Sequence, residues 1–211
     1  MSSITVDLYW IPVGAGTRFV RSNAWVFEAI SATVQHRTRC DLYHSALVVT
    51  VPEGRVTIEM TPIPDHRGAE RGVVAEGPVG MRWAGHLRPF RYEIRRWYDG
   101  VIPDAEYATG GPVRVGEDPD TARRLIDIVP AVPTLIWGRD ELRVGDMWNS
   151  NSVVAWLLAR SGIDVGPVHP PQGGRAPGWH AGLVASEGLL VGGGRAGARR
   201  GAATARRGAV A

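Results

Sequence analysis

Ile4, Val6, Leu8 and Trp10 alternate with Thr5, Asp7 and Tyr9, the period of a half-buried strand, so a strand opens the domain. After the Gly14-Ala15-Gly16 turn, Phe27, Ile30 and Val34 recur at helical spacing with Ser22 or Asn23 available as N-cap, which predicts an amphipathic helix ending near His36. Residues 42–51 and 55–61 are two β-rich runs around Pro52-Glu53-Gly54, a turn that suits a hairpin. In its second arm Val56, Ile58 and Met60 face one side. Thr57, Glu59 and Thr61 face the other, which reads as a polar face able to line a site.

From 62 to 89 the chain is rich in Gly, Pro and charge, with a short strand predicted at 73–75 and another at 90–98. Residues 99–117 read as an irregular loop. Asp118-Pro119 is a cap followed by proline at the first helical position, and Ala122, Leu125, Ile126 and Val129 share one face of the helix that follows. A further helix is predicted over 152–161, with Asn149, Ser150 and Asn151 as caps and Gly162 as its stop. Its Val153, Val154, Trp156, Leu157 and Leu158 are apolar over most of the surface, so it should be buried. The elements describe a single α+β domain over 1–191, an antiparallel sheet packed against a buried helix. Residues 192–211 form a Gly/Ala/Arg-rich tail too poor in large apolar groups to order itself.

Charge and cysteine content narrow the function classes. The formal charge of +3 includes Arg195, Arg199, Arg200, Arg206 and Arg207, and taking away those five leaves a remainder of −2. The basicity belongs to the tail, which would bind phosphates without sequence preference, and nucleic-acid binding is an unfavoured reading. Cys40 is the single cysteine, which fits a reducing, cytoplasmic setting and excludes an internal disulfide. Asp41, His66, His86, His169 and His180 show no metal-ligand spacing, so no metal or other cofactor is expected. No run approaches the roughly 20 apolar residues of a membrane helix, and the first ten residues lack the pattern of a signal peptide. Trp10, Trp25, Trp83, Trp97, Trp148 and Trp156, spread over several elements, read as core.

Two local patterns remain: Tyr43-His44-Ser45-Ala46-Leu47-Val48-Val49 at a strand start, and Trp148-Asn149-Ser150-Asn151-Ser152-Val153-Val154-Ala155-Trp156 at a helix start. Together they resemble the circularly permuted papain-like proteins, a group that includes relatives of the NlpC/P60 peptidases and the lecithin:retinol acyltransferase-like enzymes. In that group a histidine opens a core strand early in the chain and an Asn-Cys pair opens a buried helix late in it. The resemblance sets His44 at the histidine and Asn151-Ser152 at Asn-Cys, with Glu59 as the group that orients the imidazole. Asn151, Asn149 and Trp148 then belong to the substrate-binding side. It covers residues 42–61 and 148–160; elsewhere it rests on the order of elements.

A nucleophile in the first turn of a helix feels the positive end of the helix dipole, and a nearby imidazole can take its proton. A thiol is readily ionised by such neighbours, whereas a hydroxyl is not. Serine where active members carry cysteine therefore favours a non-catalytic domain that binds a peptide, lipid or acyl group. The alternative is a hydrolase or acyltransferase acting on an amide or ester through Ser152 and His44. The bland reading of Ser152 is helix capping, that of His44 a half-buried imidazole, and that of Glu59 a solvated carboxylate on the hairpin's open face. Cys40, four residues before His44, is the remaining nucleophile candidate, set against a role as small packing volume.

Overall fold

The computed structural model describes residues 3–14, 40–63, 72–102 and 104–193. The helix expected over 27–36 and the tail from 194 lie outside them. Among the described residues six strands form one antiparallel sheet: β1 (Thr5–Pro12), β2 (Tyr43–Val51), β3 (Gly54–Pro62), β4 (Val73–Pro78), β5 (Arg91–Tyr98) and β6 (Val113–Gly116). Their order across the sheet is β4-β5-β3-β2-β1-β6.

The hairpin forms as its sequence predicts. Val51 pairs with Gly54, leaving Pro52 and Glu53 as the connection, and Leu47 pairs with Ile58. Within the stretch expected to be an irregular loop, Val113–Gly116 instead forms a short edge strand against β1, with Leu8 opposite Val113.

Among the described residues, three α-helices follow the sheet: α1 (Pro119–Ile128), α2 (Ser150–Ser161) and α3 (Trp179–Gly193). Asp118 caps α1 by accepting from the Thr121 amide at 2.8 Å. Gly162, at φ 92°, ends α2 in the left-handed conformation that favours glycine. The pattern reading did not predict α3. Its sequence is apolar nearly all round and carries no stripe, so periodicity gives no signal.

The main core lies on one face of the sheet, where Val6, Leu8, Trp10, Leu47, Val49, Val56, Ile58 and Ile94 meet Leu125 of α1 and Val153, Trp156, Leu157 and Leu158 of α2. Helix α3 lies against α2 at Gly182, where a Cβ would fall 2.2 Å from the Ser152 carbonyl oxygen. Its first residue, Trp179, stacks tilted on Trp10 with ring centres 5.2 Å apart. On the opposite face Ile11, Ala46, Val48 and Ile102 form a smaller cluster, against which Tyr9, Ala105 and Ala108 pack.

The far face of the hairpin is not open, contrary to expectation. Thr57 is 1% exposed and donates to the Gly100 carbonyl at 2.6 Å, and Glu59 is 7% exposed. Trp83 departs in the other direction: expected in the core, it is 69% exposed.

Candidate functional site

The polar residues around the start of α2 form a clamp. Asn149 is the N-cap, its Oδ1 accepting from the amides of Asn151 at 2.9 Å and Ser152 at 3.4 Å. The Ser152 hydroxyl accepts in return from the Asn149 amide at 3.0 Å, which completes a capping box. That same hydroxyl donates to the Gly178 carbonyl at 2.7 Å, with the Met147 carbonyl at 3.2 Å. The side-chain Nδ2 groups of Asn149 and Asn151 both donate to the Pro177 carbonyl, each at 2.8 Å, and Asp146 Oδ1 accepts from the Gly178 backbone amide at 2.7 Å. The chain's own Pro177-Gly178 segment thus takes up the hydrogen-bonding groups of the helix start.

Gly178 is required there. Its φ is +91°, and a Cβ would lie 2.3 Å from Asn149 Oδ1.

Asn151 also ties the helix to the sheet. It is 2% exposed, accepts from Ser45 Oγ at 2.8 Å and donates to the Tyr43 carbonyl at 2.9 Å. Trp148, 1% exposed, lies in the main core, where its ring supports the helix start. Ser150, at the first helical position, is 4% exposed, and its hydroxyl takes no part in the clamp.

The sheet separates the residues that the resemblance brought together. On β2 the side chains of Tyr43, Leu47 and Val49 enter the main core, and Ser45 points the same way because it bonds Asn151. His44 pairs in register with Ile11, a member of the smaller cluster, and directly opposed residues share a face. The imidazole is therefore on the far side of the sheet from Ser152, so the two do not form a nucleophile–base pair. Ser152 is fully buried and serves as a cap.

His44 and Glu59 share the far face, but Glu59 is committed elsewhere. Its Oε1 accepts from Arg95 Nη1 at 2.9 Å, and Arg95 Nε donates to Glu93 Oε2 at 2.9 Å. All three side chains are buried, and Arg95 also lies 5.7 Å from the centre of the Trp97 ring. Burial pushes the Glu59 carboxyl above the usual range, and the Arg95 guanidinium opposes that shift. The expectation of a solvated carboxylate or an orienting group for His44 gives way to a buried ion cluster. Its partner Arg95 lies 36 residues away, beyond the reach of a local motif.

Burial alone lowers His44 from 6.5 to about 4. The neutral imidazole is then the folded form throughout the physiological range. Because the folded value is depressed, the contribution to stability is present above 6.5 and is lost as pH falls through about 4. An NMR titration of the folded protein is expected to show His44 unprotonated at pH 5.5. A midpoint near 6.5 would mean that the ring is hydrated.

Among the described residues, no group of three or more His, Cys, Asp or Glu side chains is placed to hold a metal ion. No helix among them is long and apolar enough to cross a membrane. No protein-family model matches this chain, and no curated protein or solved structure is significantly similar to it.

Proposed function

We propose that this chain is a non-catalytic domain of the permuted papain-like type, which binds a peptide, lipid or acyl group rather than cleaving or transferring one. The observation that carries the reading is the engagement of Ser152: its hydroxyl donates to the Gly178 carbonyl, accepts from the Asn149 amide and is sealed from solvent. A nucleophile must reach a substrate carbon and pass its proton to a base, and this hydroxyl does neither. His44, on the other face, is not within reach as that base.

The family part of the proposal rests on the order of elements. A histidine-bearing strand precedes a buried helix opened by Asn and Ser, and the helix lies on an antiparallel sheet. In this reading the helix start has exchanged chemistry for structure, and Pro177-Gly178 occupies hydrogen-bonding positions that a substrate would use.

A fluorophosphonate probe tests this. No serine is expected to react, and Ser152→Ala is expected to cost about 1–2 kcal/mol of stability through the lost cap. Covalent modification of Ser152 would overturn the assignment of that residue as a cap. Modification of Ser150 would overturn the non-catalytic reading while leaving the capping role of Ser152 intact.

A further inference from the structure

Between β4 and β5 the chain makes two short turns, Trp83–His86 and Arg88–Phe90, whose large apolar side chains point outward. Met81 is 47% exposed, Trp83 69%, Leu87 55% and Phe90 47%. Isolated exposed apolar residues are ordinary, but four within ten positions form a patch that calls for a partner.

The excursion is held in place. Val79 and Phe90 are joined by a backbone hydrogen bond of 2.8 Å, the Gly80 amide donates to the Trp137 carbonyl at 3.0 Å, and Arg139 Nε donates to the Gly80 carbonyl at 2.7 Å. Ala84, 6% exposed, anchors the first turn from beneath. The apolar tips are presented by a braced support.

The charge carried by the excursion itself has one sign. From Pro78 to Arg91 the sequence holds three arginines and one histidine and no Asp or Glu. Glu141 offsets Arg82 and Glu76 offsets Arg91, while Arg88 and Arg139 enter no ion pair among the described residues. We infer that this patch adsorbs to an anionic bilayer surface, with Trp83, Leu87 and Phe90 entering the headgroup region and Arg88 and Arg139 meeting lipid phosphates.

The combination of apolar and aromatic residues with flanking arginines matches the chemistry of an interfacial anchor. A protein partner of ordinary size would need about 800 Å² on each side, whereas here these exposed apolar groups are confined to one short excursion between β4 and β5. A single shallow anchor binds weakly and gains stable attachment from a second signal. The sequence supplies one in the five arginines after Glu187, which bear no compensating acid.

The test is flotation of the full chain with phosphatidylcholine vesicles, with and without phosphatidylglycerol. The wild-type chain is expected to float with the anionic vesicles and to release as salt rises. Trp83→Ala combined with Leu87→Ala is expected to lower partitioning by more than about tenfold, with an unchanged Tm because both residues are exposed. Absence of flotation with anionic vesicles overturns the inference. So does binding that ignores the double variant and disappears on removal of 192–211, which would assign it to the tail alone. A wild-type dimer converted to monomer by the double variant, without flotation, would assign the patch to protein–protein contact and overturn it as well.

Discussion

Asn151→Leu is expected to lower the stability of the fold by about 3–5 kcal/mol, read from urea denaturation, although leucine keeps the same branched skeleton of side-chain heavy atoms. The loss is polar in origin. The Asn151 amide accepts from Ser45 and donates to the carbonyls of Tyr43 and Pro177, all within the buried junction between α2 and the sheet. Pro177 keeps its bond from Asn149 in the variant, but the Ser45 hydroxyl and the Tyr43 carbonyl lose theirs. Each buried polar group left unsatisfied costs about 1–3 kcal/mol. Adding Ser45→Ala should recover part of the loss, because the hydroxyl that would be stranded is gone. A single-variant loss below about 1 kcal/mol would show that this pin does not hold the helix.

Arg95→Met is expected to destabilise by a similar amount, about 3–5 kcal/mol near neutral pH, because it removes the guanidinium shared by two buried carboxylates. The deficit should depend on pH in a definite direction. Burial raises the folded-state pKa of Glu59 above 4.5, and for a raised carboxyl the stabilising contribution is full below the unfolded value. It declines as pH rises through the folded value. Without Arg95, which pulls the other way, the shift grows and the decline deepens. Thermal unfolding should therefore show a larger gap between variant and wild type at pH 8 than at pH 5. An equal gap at both would attribute the effect to packing rather than charge.

The parts of this fold that could be read from the sequence were those with local chemistry. Pro52-Glu53-Gly54 between two β-rich runs specified the hairpin, Asp118-Pro119 the start of α1, and the Asn/Ser run with Gly162 the limits of α2. Orientation was harder. Strand β2 is apolar on both faces, with Leu47 and Val49 in one cluster and Ala46 and Val48 in the other, so alternation does not mark which side His44 takes. The helix-side parity is set by Ser45 through its bond to Asn151, a contact between residues 106 positions apart. Helix α3 was hidden for a related reason: it is apolar without a stripe, and the fit at Gly182 appears only once Ser152 is beside it. Trp83 misleads in the opposite sense, because tryptophan in an irregular segment carries no local mark of exposure.

The order of elements along the chain also bears on how the protein is made. Every strand of the sheet precedes α1, α2 and α3, whose side chains fill its main-core face. Synthesis from the N-terminus therefore delivers the sheet's main-core face to the ribosome exit before these helical covers exist. Val6, Leu8 and Trp10 cannot be sealed from water by α2 until Leu157 and Leu158 have emerged. The nascent strands meanwhile present apolar surface and open edges, the features that invite chaperones and misassembly. Completion of the main core thus waits for the last third of the chain, and any pause in translation shortly before Ser150 prolongs the interval in which the sheet lacks α2.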